Sequence, residues 1–115
     1  MAIDDYREVE YEAALYRMLD RIKMEGGMWI GTPSLNRLFQ FINGYQAAIQ
    51  DITGYKPHFD KEFQLYLQAK NEDAKRIRWN ILLSKQRTDE EAFYAFYEEF
   101  EDYRKQHKGT LPSCR

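Results

Sequence analysis

Of the 115 residues, one is cysteine, three are proline and two are histidine. The single Cys114 has no partner for an internal disulfide, so a reducing setting, the cytoplasm, is expected. Neither His58 nor His107 follows a glutamate by three positions, which excludes the Glu-x-x-His pairs of di-iron bundles. No Cys-x-x-Cys or His-Glu-x-x-His pattern offers a zinc site, and no glycine-rich phosphate loop is present. No metal or other cofactor is therefore expected. The chain also lacks any apolar run near the roughly 20 residues that span a bilayer. Its start, Met1 to Tyr6, is acidic rather than apolar, unlike a secretory leader. Strong charge of one sign is missing as well: 17 basic and 19 acidic side chains leave a net −2, which speaks against a polyanion binder.

What the chain has in excess is rings. Nine Tyr, seven Phe and two Trp make 16% of the sequence, enough to supply a compact core and still leave some Tyr on the surface. The length suits one domain.

The helical signals come in order along the chain. Tyr11, Leu15, Met18 and Ile22 recur at helical spacing, and Gly26-Gly27 is expected to end that helix. Met28-Trp29-Ile30-Gly31 reads as an apolar connector that tucks Trp29 against the core. Thr32-Pro33 then signals a helix start. Leu35, Leu38, Ile42, Tyr45, Ile49 and Ile52 have the cleanest period, widened by Phe41 and Ala48, and predict a central helix. Gly44 inside it is read first as a close approach by a neighbouring helix, and second as room for a partner. Gly54 to Pro57 breaks the chain, and Asp60 is expected to cap a helix carrying Phe63, Tyr66 and Leu67. Asn71-Glu72-Asp73 suits a turn. Arg76 to Leu83 fits a strand or a helix by period; helix is preferred because no second strand exists to pair with it. Thr88-Asp89-Glu90-Glu91 forms a capping box ahead of Phe93, Phe96, Tyr97, Phe100 and Tyr103 at helical spacing. The expectation is an all-α, compact single-domain bundle of about five helices over residues 1–108, with a flexible tail at 109–115.

Catalytic readings are weak. His58 reads as a loop residue and His107 as a helix-end cation. Cys114 has no neighbour that would lower its pKa. Acid pairs are plentiful but mostly suit a solvated face, so no enzyme is expected.

Charge is unevenly placed. Thr88 to Tyr103 holds seven acids and no base, Asp4 to Glu12 holds five acids against Arg7, and Lys70 to Arg87 is mainly basic. The first acids of Thr88–Tyr103 suit a helix start, whereas Glu98, Glu99, Glu101 and Asp102 lie too far along for that explanation. With Tyr94 or Tyr103 as an aromatic anchor, they form the candidate partner-binding set. In the basic segment Trp79 is flanked by Ile77 and Ile81 and reads as core, so no nucleic-acid partner is expected.

One further pattern runs from Met28 to Tyr103. Met28-Trp29-Ile30-Gly31 is followed by Pro33-Ser34-Leu35, Leu38, Phe41, Gly44 and Tyr45. Asp60-Lys61-Glu62-Phe63 come next, then Trp79, Ile81 and Leu82, and finally Ala92-Phe93 and Phe96. This resembles small bacterial immunity-type proteins associated with polymorphic toxins, with Trp29 at a position where that pattern has Tyr. The resemblance implies a protein that neutralises a cognate toxin by binding it, and a basic toxin domain would suit the acidic surface. The alternative is a small helical adaptor or regulatory protein acting through protein–protein contacts, with a homodimer left open.

Overall fold

The computed structural model describes the chain from Ala2 to Gln106, with side chains described from Val9 onward except at positions 26, 73 and 74. The expectations placed on Asp4, Asp5, Arg7, Glu8, His107, Cys114 and the 109–115 tail lie outside the described side chains. Five α-helices and one 3₁₀ turn follow each other: α1 (Ala2–Trp29), α2 (Leu35–Thr53), α3 (Phe59–Lys70), the turn (Glu72–Lys75), α4 (Trp79–Ser84) and α5 (Asp89–Gln106). Among the described residues there is no strand, so the fold is an all-α single domain.

Several helix boundaries have a local cause, the start of α3 is fixed from another helix, and some differ from those expected. α1 does not stop at Gly26-Gly27. It breaks at Glu25 (φ −131°, ψ 40°) and resumes to Trp29. The left-handed residue that turns the chain is Gly31 (φ 87°), a conformation glycine adopts without a Cβ clash. The cap of α2 is Ser34 rather than Thr32: its backbone is extended and its Oγ accepts the Arg37 amide at 3.1 Å. Gly54, left-handed at φ 79°, closes α2 by donating its N–H to the Gln50 carbonyl. Asp60 does not cap α3. The carboxylate of Glu12, brought over from α1, instead accepts the His58 amide at 2.6 Å and the Tyr55 hydroxyl at 2.6 Å. The capping box of α5 forms as expected, with Thr88 N donating to Glu91 at 2.8 Å and Glu91 N donating to Thr88 Oγ1 at 3.0 Å. The ambiguous Arg76–Leu83 segment resolves into the short helix α4 from Trp79 onward.

The core is aromatic. Phe59, 1% exposed, has the rings of Tyr16, Phe63, Phe100 and Tyr103 within 6.1 Å of its centroid, mostly edge-on. Edge-to-face packing sets the positive rim of one ring against the negative face of another, a gain of about 0.5–1.5 kcal/mol per pair beyond burial. Trp79 is fully buried against Phe39, Phe63 and Phe96. Its backbone N–H donates to Gln64 and its indole N–H to Asp60, whose carboxylate also receives Arg78. More rings are interior than composition led us to expect: of the described tyrosines, Tyr16, Tyr66, Tyr97 and Tyr103 are buried and only Tyr94 is widely exposed.

α2 departs most from expectation. Leu35, Leu38 and Ile42 are buried, but Tyr45 and Ile49 are only half-buried, and Ile52 is 79% exposed. It is a central helix for its first half alone.

Candidate protein-binding surface

α5 is held on its inner side by Ala92, Phe93, Phe96, Tyr97, Phe100 and Tyr103, all buried. Tyr97 donates to the Leu19 carbonyl of α1 at 2.7 Å, and Arg104 donates to Asp20 of the same helix at 2.6 Å. At the helix start Asp89 accepts from Ser34 Oγ in a short hydrogen bond and from the Asn36 amide at 3.0 Å. The bond from Ser34, with help from the Asn36 and Leu35 amides and from Arg37, holds the Asp89 carboxyl below its ordinary value. The helix is therefore tied at both ends, and its outer face has a fixed direction.

The six partner-binding candidates divide into three environments. Tyr94, 52% exposed, stands outward with its ring edge-on to Phe93 at 5.1 Å. Glu98 and Asp102 are also exposed. Neither is in an ion pair among the described residues. Glu99 and Glu101 look sideways and are occupied. Glu99 receives Lys70 at 2.7 Å, and Glu101 receives Lys23 at 2.8 Å, a bond that lowers the Glu101 carboxyl pKa. Tyr103 drops out as a surface anchor. It is 1% exposed, its hydroxyl lies 3.4 Å from that of Tyr16, and burial raises both phenol pKa values. The stripe that put Tyr103 in register with Phe96 and Phe100 aims it at the core.

A residue outside the candidate set completes the exposed ridge. Glu90 lies four positions before Tyr94, as Glu98 and Asp102 lie four and eight after it, and it too is exposed without an ion pair among the described residues. Residues four apart on a helix are neighbours on its surface. Glu90, Tyr94, Glu98 and Asp102 thus make one line of three carboxylates around a phenol. Sequence reasoning set Glu90 aside as a dipole-stabilising acid, and its spacing to Tyr94 was the available signal.

The other charged segments are largely engaged. Glu10 pairs with Arg17, and Glu12 is buried beneath Tyr55 and His58. In the basic stretch Lys70, Lys75 and Arg78 bind Glu99, Glu72 and Asp60. The fully buried Trp79 presents no face for a base to stack on. His58 lines a cleft of about 460 Å³ with Asn43, Gln46, Gln50, Lys56 and Lys61. A second cleft of about 500 Å³ lies between α3 and the end of α5. No group of three His, Cys, Asp or Glu side chains that could hold a metal occurs among the described residues. No described helix is long and apolar enough to cross a membrane. Comparisons of the chain with protein-family models, curated proteins and solved structures return no match.

Proposed function

We propose that this chain is a non-enzymatic, immunity-type protein of the bacterial cytoplasm that neutralises a toxin by occluding it, through the outer ridge of α5. The observation that carries the reading is Tyr94, 52% exposed, in line with Glu90, Glu98 and Asp102, none of which has a cationic partner among the described residues. A rigid aromatic flanked by unneutralised carboxylates suits capture of a basic surface: the acids accelerate encounter, and the ring supplies desolvated contact area at small entropic loss. The toxin-directed part of the reading is supported by the sequence pattern from Met28 to Tyr103 described above.

The test is co-purification with the product of the adjacent gene, followed by titration. Tyr94→Ala is expected to weaken the complex by about 2 kcal/mol or more, roughly 30-fold in Kd. Glu98→Lys with Asp102→Lys should slow association and flatten its dependence on salt. Glu101→Gln, whose carboxylate is already engaged by Lys23, should change little. No complex at micromolar concentration, or equal effects from Glu98 and Glu101, would count against the reading.

A further inference from the structure

α2 carries two charged residues in its 19 positions, and both are misplaced for the helix that bears them. Arg37 lies in the first turn and Asp51 in the last, with no acid in the first turn and no base in the last. The macrodipole of a helix favours the reverse arrangement, anions at the N-terminus and cations at the C-terminus. Neither residue finds a compensating ion pair among the described residues. Arg37 donates from one nitrogen to the Ile30 carbonyl at 3.1 Å and lies in the field of Asp89, and the residue as a whole is exposed. Asp51 is exposed.

The two charges are placed symmetrically. Arg37 precedes Gly44 by seven residues and Asp51 follows it by seven. Together with Phe41 and Ala48 they run at spacings of four, three, four and three, the spacing of one continuous helical seam. Between Leu38 and Gln50 the helix bears no charge, in a chain that is 31% charged. Among the described residues this side is mostly uncovered, with Phe41 alone packed in part against the core and stacked on Tyr45 at 5.9 Å. A Cβ added at Gly44 would meet no atom within 4 Å, and Gly44 and Ala48 are exposed, as is Ile52 at 79%. Gly44 is neither a turn residue nor in close contact with a neighbouring helix, so the reading of it as a packing glycine does not hold within one protomer.

We infer that this face of α2 is a homodimer interface, in which two copies of α2 pack antiparallel about a two-fold axis at Gly44 and each Arg37 faces the other copy's Asp51. A two-fold contact must be self-complementary. An antiparallel pair brings a residue ahead of the axis opposite the one equally far behind it, so the symmetric plus and minus become two ion pairs. Each charge then sits beside the opposite charge of its partner helix, which offsets its unfavourable position on its own. Gly44 lets the two backbones approach where they cross, and Phe41, Ala48 and Ile52 gain cover. The α5 ridge cannot serve this role, because its carboxylates would repel their own copy.

Sedimentation of the full chain decides it, between about 1 and 300 µM, where contacts of modest area associate. The wild type should move from its 13.9 kDa monomer mass to twice that value with rising concentration. Asp51→Arg places like charges opposite each other twice per dimer and should raise the dissociation constant at least tenfold. It should leave the thermal melt intact, since a cation suits that helix end. Arg37→Asp alone should also be monomeric, while an equimolar mixture of the two variants should dimerise, because every contact is again opposite in sign. Ala48→Glu, on the same seam and exposed, covers the case in which Arg37→Asp does not fold. A wild type that stays monomeric throughout, an Asp51→Arg protein that dimerises as well as the wild type, or an Ala48→Glu protein that does so would each overturn the interface.

Discussion

α5 and α2 announce themselves in the sequence by the same sign, apolar residues at alternating spacings of three and four, yet they are used differently. The buried positions of α5 run from Ala92 to Tyr103, whereas those of α2 end at Ile42. α5 has α1 against Tyr97 and Arg104, α3 against Phe96 and Tyr103, and α4 at Trp79. Beyond Gly44, α2 has the 55–58 connection and the start of α3 beside it, across an open cleft. Periodicity states which side of a helix is apolar. It does not state how many neighbours will arrive to cover it.

The sharpest way to break this contrast is to truncate one side chain in each region. Phe63 is fully buried, with the rings of Phe59, Trp79, Phe96 and Tyr103 all within 5.5 Å. Phe63→Ala removes the ring and leaves a cavity its rigid aromatic neighbours cannot fill, an expected loss of about 3–5 kcal/mol in urea unfolding. Ile52→Ala, at a site 79% exposed, should stay within about 0.5 kcal/mol when measured at concentrations where the protomer is alone. A loss above about 1 kcal/mol at Ile52 would mean that the distal half of α2 is covered within the protomer.

The all-α class and the α5 capping box were legible because each depends on residues close in sequence, and the helical state of Trp79–Ser84 followed by elimination, since no second strand was there to pair with it. The features that were not legible depend on residues far apart. Glu12 read as one of a run of N-terminal acids, but it lies three and four positions before Leu15 and Tyr16 on the inward side of α1 and is 8% exposed. A carboxylate in that place needs donors, and it finds them 43 and 46 residues away at Tyr55 and His58. Its periodic position was visible, but its partners were not. Asp60 was expected to cap its own helix; the buried indole of Trp79 and the guanidinium of Arg78 claim it instead. On the candidate surface, composition picked out the acidic stretch but could not separate Glu98 and Asp102 from Glu99 and Glu101. That difference is made by Lys70 and Lys23 on other helices. Tyr103 belonged to two readings at once, core stripe and surface anchor, and the stripe prevailed because its register was already set by Phe96 and Phe100.

Buried phenols make the α1–α5 side the alkali-sensitive part of the molecule. Burial raises the pKa of Tyr16, Tyr97 and Tyr103 above the ordinary phenol value. In the unfolded chain these groups ionise near pH ~10 while the folded state keeps them protonated. Above that pH the unfolded state binds fewer protons, so stability is full below about pH 10 and falls as pH rises further, by up to about 1.4 kcal/mol per pH unit for each phenol still neutral in the fold. Urea midpoints should be level near pH ~8 and decline steeply by pH ~11. Tyr97→Phe, which also gives up the bond to the Leu19 carbonyl, should start from a lower plateau and decline less steeply. An unchanged slope would show that Tyr97 is accessible to ionisation in the fold.

The smallest expected effect is the most discriminating for α2. Glycine within a helix is less favourable than alanine by about 1 kcal/mol, because it loses more backbone freedom on folding. In a close-packed helix that difference is outweighed by the clash of the added methyl. At Gly44 there is no atom within 4 Å for the methyl to strike and no left-handed backbone to strain. Gly44→Ala in the Asp51→Arg background, where association is removed, should therefore raise protomer stability by up to about 1 kcal/mol, a few degrees in Tm. The same methyl in the wild-type background should weaken the dimer, because there it stands on the axis between two backbones. A substitution that stabilises the protomer while loosening the pair would separate what glycine does for folding from what it does for association. Destabilisation of the protomer would instead mean that a part of the same chain already packs against that face.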